Sequence, residues 1–315
     1  MTNDKSLLIL GIDTSGEYCS VGLVQGERVL GEISESAPQK HSDQLIPFID
    51  KILKDSHLKI QDVDGIAVSL GPGSFTGLRV GVATAKALAQ GLEIPIVGVR
   101  TLDMIALNAV EYCSGRPWSV EKSSKLDHYS SGRPWSVEKS SKLDHYSSGR
   151  VYSAIDSRAG YPPKAGRTTT ICPIVDARKQ QIYTAVYKIK SKSRRTEEPK
   201  LKKMTKDLVL TIDEFFKLLM TYNSRLMTVF IGNAIPVYGD VIKEKLCGCP
   251  PGVGGGGQAI FATKELWYPR ASNIALAGLE KLQQNKKGDN LFKLKPIYLR
   301  EPDIRAKALS YMVQG

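Results

Sequence analysis

Short apolar runs and one helical pattern alternate along residues 66 to 99. The run 66–70 ends at the turn Gly71-Pro72-Gly73, and this length and punctuation are typical of a buried strand. From Phe75 onwards large apolar residues recur in steps of three and four, and Ser74 supplies an N-cap hydroxyl. A second apolar run, 95–99, follows. The segment therefore predicts a strand, a helix and a second strand of a parallel sheet covered by helices.

The predicted helix also carries a row of small residues. Gly77, Gly81, Ala85 and Ala89 recur at every fourth position, and Gly91 is expected to end the helix. A row of this kind lets another backbone approach closely. We therefore expect this helix to pack on two sides.

Three segments before this crossover predict an antiparallel meander. Residues 7–12, 18–24 and 28–33 are joined by tight turns, and the first segment ends in Asp13, Thr14 and Ser15. A carboxylate, two hydroxyls and free backbone N–H groups at one rim can hold phosphate and a hydrated cation. The same residue types also make ordinary turns, so both interpretations stay open here.

Two further helices are predicted in the first half. One begins with Ser42 as its N-cap, and Pro47 is expected to bend its first turns. The other occupies residues 101–113, where apolar residues share one side.

The second half repeats the order of the first. An apolar strand at 171–175 leads to Asp176 and a turn, and an alternating strand at 181–187 follows, as around Asp13. This repetition indicates two structurally related lobes. The remaining predicted elements are a strand from Leu208 followed by a helix capped at Thr211, a strand at 229–231 and a helix at 272–282.

A polar segment separates the two halves. Residues 114–130 are repeated without change at 131–147, and the unit is too short and too polar for a solenoid repeat. We interpret it as a flexible insertion rich in Ser and Lys. The predicted organisation is an N-terminal lobe over 1–110, the insertion over 111–170 and a C-terminal lobe over 171–315.

Composition excludes a membrane span and a disulfide scaffold. The chain has 315 residues, of which 42% are hydrophobic and 24% charged, and no apolar run reaches eighteen residues. The N-terminal residues lack the cleavage site of a signal peptide. Five scattered cysteines in a chain of this size favour reduced thiols, so we expect a cytoplasmic protein.

The positive charge is concentrated in one stretch. The net charge is +12, and Lys188 to Lys206 contains nine lysines and arginines against Glu197 and Glu198. Such a stretch is typical of a loop that faces RNA, or equally of a solvated hairpin tip.

Several of these motifs, in this order, resemble the bacterial TsaB (YeaZ) family. They are Leu10 to Ser15, His41-Ser42 with Leu45 and Pro47, Gly71 to Arg79, Asp176 to Arg178 with Ile182-Tyr183, and Pro296 to Arg300. The resemblance implies an α/β protein with a two-lobed actin-like, Hsp70-like (ASKHA) fold, in which each lobe has a mixed sheet with a β-meander and covering helices.

The resemblance also implies a function. TsaB proteins take part in forming N6-threonylcarbamoyladenosine at position 37 of tRNA, where they pair with TsaD and work with the ATPase TsaE. TsaD-type proteins carry a metal-binding His-x-x-x-His, and the corresponding places here are Thr101 and Ile105, which cannot replace imidazole ligands. We therefore expect no metal and no catalytic residue in this chain. ATP and magnesium belong to the complex, and the metal belongs to the TsaD partner.

The expected role is a non-catalytic scaffold that reaches tRNA through the complex and can form a homodimer when alone. The partner surface implied by the resemblance lies on the helices that begin near Ser42 and Phe75, with the residues His41, Leu45, Ile49, Phe75, Gly77, Leu78, Gly81, Val82 and Ala85.

Two other functions remain open from the sequence. In one, the chain is an active ATP-hydrolysing or phosphotransferring enzyme of the actin-like superfamily, and Asp13, Thr14, Ser15 and Asp176 line its nucleotide cleft. If the chain is a scaffold, these four residues are vestiges of that site. In the other, the chain binds RNA on its own through Lys188 to Lys206.

Overall fold

A computed structural model describes residues 6–37, 40–114, 168–190, 201–222, 227–247 and 259–300. The first half forms a five-stranded sheet in the order β3-β2-β1-β4-β5. Strands β1, β2 and β3 are antiparallel, whereas β1, β4 and β5 are parallel. The elements are β1 (Leu8–Asp13), β2 (Tyr18–Gln25), β3 (Arg28–Ser36), α1 (His41–Asp55), β4 (Gly65–Ser69), α2 (Phe75–Leu92) and β5 (Ile96–Val99).

The second half builds a second sheet with the path β10-β7-β6-β11-β12, and β8 pairs with both β6 and β9. Helix α3 (Thr101–Ser114) follows β5 at the end of the first half, and the elements of the second half are β6 (Thr168–Arg178), β7 (Gln181–Thr184), β8 (Tyr187–Lys190), β9 (Leu201–Lys203), β10 (Leu208–Thr211), α4 (Ile212–Thr221), β11 (Thr228–Ile231), α5 (Ile235–Cys247), β12 (Ala259–Phe261) and α6 (Ala271–Gln284).

The two sheets have the same topology. Strands β6, β7, β10, β11 and β12 occupy the places of β1, β2, β3, β4 and β5, with the same pattern of antiparallel and parallel pairs. The predicted two-lobed actin-like fold is confirmed. Because the chain order within each sheet is the same, Asp13 and Asp176 hold equivalent places near the C-terminal ends of β1 and β6.

The two halves exchange helices. Helix α3 packs on the second sheet, where Leu102 and Ile105 join Ile171 in one apolar cluster. Helix α6 packs on the first sheet, where Ile274 joins Ile9 in another. The boundaries 1–110, 111–170 and 171–315 stay a prediction, and the packing adds that each sheet is covered by a helix from the other half.

Close approach of α6 to the first sheet requires small residues. A Cβ on Gly11 would overlap the carbonyl oxygen of Ala271, and a Cβ on Gly278 would overlap the side chain of Ala67. The helix therefore lies directly on the strands, and larger residues at these places would separate the two layers.

Three element ends differ from the prediction. Helix α1 begins at His41 after Lys40, because the Ser42 hydroxyl donates to Asp43 instead of capping the helix. Helix α2 runs through Gly91 to Leu92 and ends where Glu93 adopts a left-handed conformation, with φ 56°. The predicted strand 181–187 is interrupted after Thr184, and the backbone N–H of Val186 donates to the hydroxyl of Thr205.

The predicted N-caps Ser74 and Thr211 are confirmed, whereas the predicted N-cap Ser42 is wrong. The Ser74 hydroxyl accepts a hydrogen bond from the backbone N–H of Gly77, and Thr211 forms a reciprocal capping box with Glu214. The repeat at 115–147 and the glycine-rich stretch 252–257 lie outside the described residues. Among the residues that the structure describes, no helix is long and apolar enough to cross a bilayer.

Candidate functional site

The turn that follows β1 holds a buried carboxylate. Asp13 is 1% exposed, and its Oδ1 accepts hydrogen bonds from the Ser69 hydroxyl and from the backbone N–H of Ser15. Desolvation by burial raises the pKa of Asp13 to about 6, although both serine contacts act in the opposite direction. The charged form of this carboxyl group is therefore costly at neutral pH.

The N-terminus of α2 closes over this turn. The Thr14 hydroxyl donates to the carbonyl oxygen of Gly77 at 2.7 Å, and the backbone N–H of Ser74 donates to the carbonyl oxygen of Ser15 at 2.7 Å. A Cβ on Gly73 would overlap the carbonyl oxygen of Ser15, and a Cβ on Gly77 would overlap the carbonyl oxygen of Thr14. The chain thus covers the turn with its own backbone.

These residues do not fit a hydrated magnesium ion with phosphate. Asp13 and Thr14 are each 1% exposed and already bonded within the chain, so neither side chain faces a ligand. Asp176 is exposed, but its Oδ1 accepts the backbone N–H of Arg178 at 2.8 Å and closes its own turn. Among the described residues, no group of three or more His, Cys, Asp or Glu is placed to hold a metal ion.

The side chains predicted to form the partner surface lie mostly inside the first lobe. Eight of the nine are buried, namely His41, Leu45, Ile49, Gly77, Leu78, Gly81, Val82 and Ala85, and Phe75 is partly buried. The row of small residues packs against the chain's own first lobe, because Gly77 and Gly81 lie against Thr14. Burial lowers the pKa of His41, although a hydrogen bond with the backbone of Gly16 acts in the opposite direction. These eight residues hold α1 and α2 in place.

A different surface of the same helices is open. Ile46 on α1 is 52% exposed and lies beside a groove of about 350 Å³ between α1, α2 and the segment after α1. The groove is lined by Ile46, Ile49, Asp50, Leu53, Lys54, Leu58, Lys59, Ile60 and Leu88. Ile46 was not among the residues predicted for the partner surface. An isoleucine that lies off the apolar face of an amphipathic helix nevertheless indicates an exposed apolar position.

The fifth motif of the resemblance ties the two lobes together. The Tyr298 and Phe75 rings lie 4.8 Å apart, and the Arg79 guanidinium lies 3.9 Å above the Phe75 ring and donates to the Tyr298 hydroxyl. Two residues later, Arg300 donates to the carbonyl oxygen of Ala177 in the second lobe. Residues 297–300 therefore run from the start of α2 to the turn after β6.

Comparisons with known proteins agree with this fold. The family model described as "TsaD: tRNA N6-adenosine threonylcarbamoyltransferase" matches residues 27–120. TsaB of Haemophilus influenzae is 42% identical over 108 residues, which are 34% of this chain and 45% of that protein. TsaB of Bacillus subtilis is 25% identical over 301 residues, which are 96% of this chain and 97% of that protein.

The chain is similar to TsaB (YeaZ) proteins, in one case over both of its halves. YeaZ from Pseudomonas aeruginosa superimposes with a TM-score of 0.55 and 20% identity over 93% of this chain and all of that protein, which supports the fold. The matched region spans somewhat less than half of the Haemophilus influenzae and Escherichia coli TsaB proteins, at 45% and 43% of their lengths. These two relatives match about a third of this chain, whereas the Bacillus subtilis relative matches 96% of it.

Proposed function

We propose that this chain is a non-catalytic subunit in the biosynthesis of tRNA threonylcarbamoyladenosine. The observation that carries the proposal is the match to the Bacillus subtilis protein, which is named a tRNA threonylcarbamoyladenosine biosynthesis protein and aligns over 97% of its length. Its expected partner is a TsaD-type protein, and a TsaE-type ATPase and tRNA complete the assembly. Magnesium-bound ATP and the transfer metal reside with those partners.

The internal packing of the turn after β1 supports a scaffold over an enzyme. A phosphate-binding turn needs free N–H groups and an accessible carboxylate, whereas Asp13 is desolvated and the turn carries α2 on top of it. Calorimetry with magnesium and ATP on the isolated chain tests this inference. The proposal expects no ATP turnover, and hydrolysis by the isolated chain would instead assign it to the nucleotide-hydrolysing class.

We place the partner contact at the groove beside Ile46. Its lining is mainly apolar and its rim carries Asp50, Lys54 and Lys59, which is the usual arrangement of a protein interface with an apolar centre and a polar rim. A side chain from a TsaD-type partner, or from a second copy when the partner is absent, fits the groove. This proposal keeps the predicted helices and moves the contact to their solvent-facing side.

The function is tested by reconstitution. A TsaD-type protein, a TsaE-type ATPase, threonylcarbamoyl-AMP and tRNA are combined with and without this chain, and modified adenosine is measured by nucleoside mass spectrometry. The proposal expects formation of the modified nucleoside to depend on this chain. Equal yields in its absence would refute the assigned role.

The contact is tested by a matched pair of substitutions. Ile46→Asp places a charge at the groove. It should raise the Kd for the TsaD-type protein at least about tenfold and so reduce co-elution of the two proteins. Val237→Asp makes the same change on α5, where Val237 is 63% exposed, and should leave the affinity unchanged. Equal affinities of both variants and the unchanged chain would rule out the groove as the contact.

A further inference from the structure

The lysines of the β8–β9 hairpin are sorted between its two faces. In this antiparallel pair Tyr187 lies opposite Lys203, and Lys188 lies opposite Lys202. Because successive side chains of a strand point to opposite faces, Lys203 shares one face with Tyr187, and the Lys188 and Lys202 pair occupies the other.

The inward face is neutralised. The Lys203 ammonium donates to Asp103 at 2.6 Å and to Asp207 at 2.5 Å, and it lies 5.4 Å from the centre of the Tyr187 ring. The Tyr187 ring is 1% exposed, and its hydroxyl donates to Asp103 at 2.6 Å. This face therefore anchors the hairpin firmly to α3 and to the start of β10.

The outward face is not neutralised. Lys202 is exposed and Lys188 partly exposed, and no carboxylate among the described residues forms an ion pair with either. Like charges directly opposite each other on one face of a sheet destabilise the pairing. A pair of cations that has no partner among the described residues is a surface suited to an external polyanion.

We propose that the outward face of the β8–β9 hairpin, formed by Lys188 and Lys202, binds the phosphate backbone of RNA. Lys188 and Lys202 belong to the stretch 188–206, which contains nine lysines and arginines against two glutamates in a chain of net charge +12. Phosphate neutralisation by lysines supplies most of the affinity of sequence-independent RNA binding. The choice of RNA among polyanions rests on the proposed function in tRNA modification.

An anionic membrane is the less favoured partner. A membrane-binding surface combines basic residues with exposed apolar anchors. The large hydrophobic residues that are exposed in the described part of the chain are Ile46, Met220, Val237, Val241, Phe292 and Tyr298, and none belongs to β8 or β9.

The experiment measures tRNA binding by the full chain without its partners. Fluorescence anisotropy with a labelled tRNA transcript is recorded from 50 to 300 mM KCl for the unchanged chain and for Lys188→Gln/Lys202→Gln. Loss of two phosphate contacts should raise Kd about tenfold at 0.1 M salt and reduce the slope of log K against log salt by about 1.4 to 1.8.

The control removes the same charge elsewhere. Lys286→Gln/Lys287→Gln neutralises two exposed lysines that follow α6, and it should change Kd by less than about twofold. The inference is overturned if the unchanged chain does not bind tRNA at micromolar concentration. It is also overturned if the two double variants lose affinity equally, or if the chain binds anionic vesicles but not tRNA.

Failure of this inference is distinguishable from failure of the proposed function. If the hairpin variant binds RNA normally and the chain still supports nucleoside modification, only the RNA contact is refuted. If the variant loses RNA binding and the chain contributes nothing to modification, the RNA contact stands and the pathway assignment is refuted.

Discussion

Gly81 lies so close to Thr14 that a Cβ at position 81 would overlap the Thr14 hydroxyl oxygen. The same hydroxyl is held in place by its hydrogen bond to the carbonyl oxygen of Gly77. Thr14 is thus fixed between two glycines that are one helical turn apart. The small residues of α2 serve the contact with this turn.

We expect Gly81→Ala to destabilise the protein by about 1–3 kcal/mol, because the new methyl group overpacks the contact with Thr14. Gly91→Ala is the control, since no atom lies within 4 Å of a Cβ there and the site is also in α2. Without a clash, alanine should stabilise the helix by about 0.5–1 kcal/mol. Urea unfolding of both variants measures the two changes in the free energy of unfolding. If both substitutions stabilise the protein, the contact between Gly81 and Thr14 is contradicted.

The buried carboxyl group of Asp13 predicts a pH dependence of stability. Its pKa of about 6 in the folded state exceeds the ordinary value of 3.8, so the folded state binds this proton more tightly than the unfolded state. The stability contributed by protonation is complete below about pH 4 and is lost as the pH rises to 6. Stability should therefore fall over this window.

Asp13→Asn tests that dependence, because asparagine carries no titratable proton. The unfolding free energy of the variant relative to the unchanged chain should rise by about 2–3 kcal/mol between pH 4 and pH 7. Asp55→Asn, at an exposed position at the end of α1, controls for general charge effects and should show a much smaller change. A flat difference for Asp13→Asn over this range would show that Asp13 does not carry the effect.

The charge network around Asp207 should contribute more to stability than a surface ion pair. The Asp207 side chain is 1% exposed and accepts from Arg100 at 2.7 Å and from Lys203 at 2.5 Å. Asp207→Asn leaves both cations without this charge, and we expect a loss of about 2–3 kcal/mol in the free energy of unfolding.

The comparison is the exposed pair of Asp50 and Lys54, whose side chains are 59% and 73% exposed. Asp50→Asn should cost less than about 0.5 kcal/mol, and that loss should vanish at high salt. Chemical denaturation of both variants at low and high salt makes the measurement. Similar losses in the free energy of unfolding at the two sites would mean that burial of Asp207 does not strengthen its contribution to stability.

The fold could be predicted largely from periodicity and turn residues. The strand–helix–strand crossover around α2 and the repeated meander around Asp13 and Asp176 are local patterns that the sequence carries. The packing of α3 and α6 on the sheets of the opposite halves could not be predicted in this way. The apolar stripe of a helix does not indicate which sheet the helix covers.

The candidate surface was harder to predict for a related reason. A row of small residues indicates a close approach, but the sequence does not say whether the approaching atoms belong to Thr14 or to another protein. Leu45 and Ile49 were assigned to the partner surface on the family resemblance, whereas both side chains belong to the apolar core of their own lobe. Ile46, beside them, is the residue left in solvent.

The packing of α6 also determines when one side of the first sheet is covered during synthesis on the ribosome. The strands β1, β2, β4 and β5 are translated before the second sheet and before α6, whose Ile274, Leu279 and Leu282 cover one side of them. Until then that side of the sheet exposes Ile9, Val24 and Val97 to water. A nascent chain cut short before residue 271 would present a bare apolar sheet to chaperones and proteases.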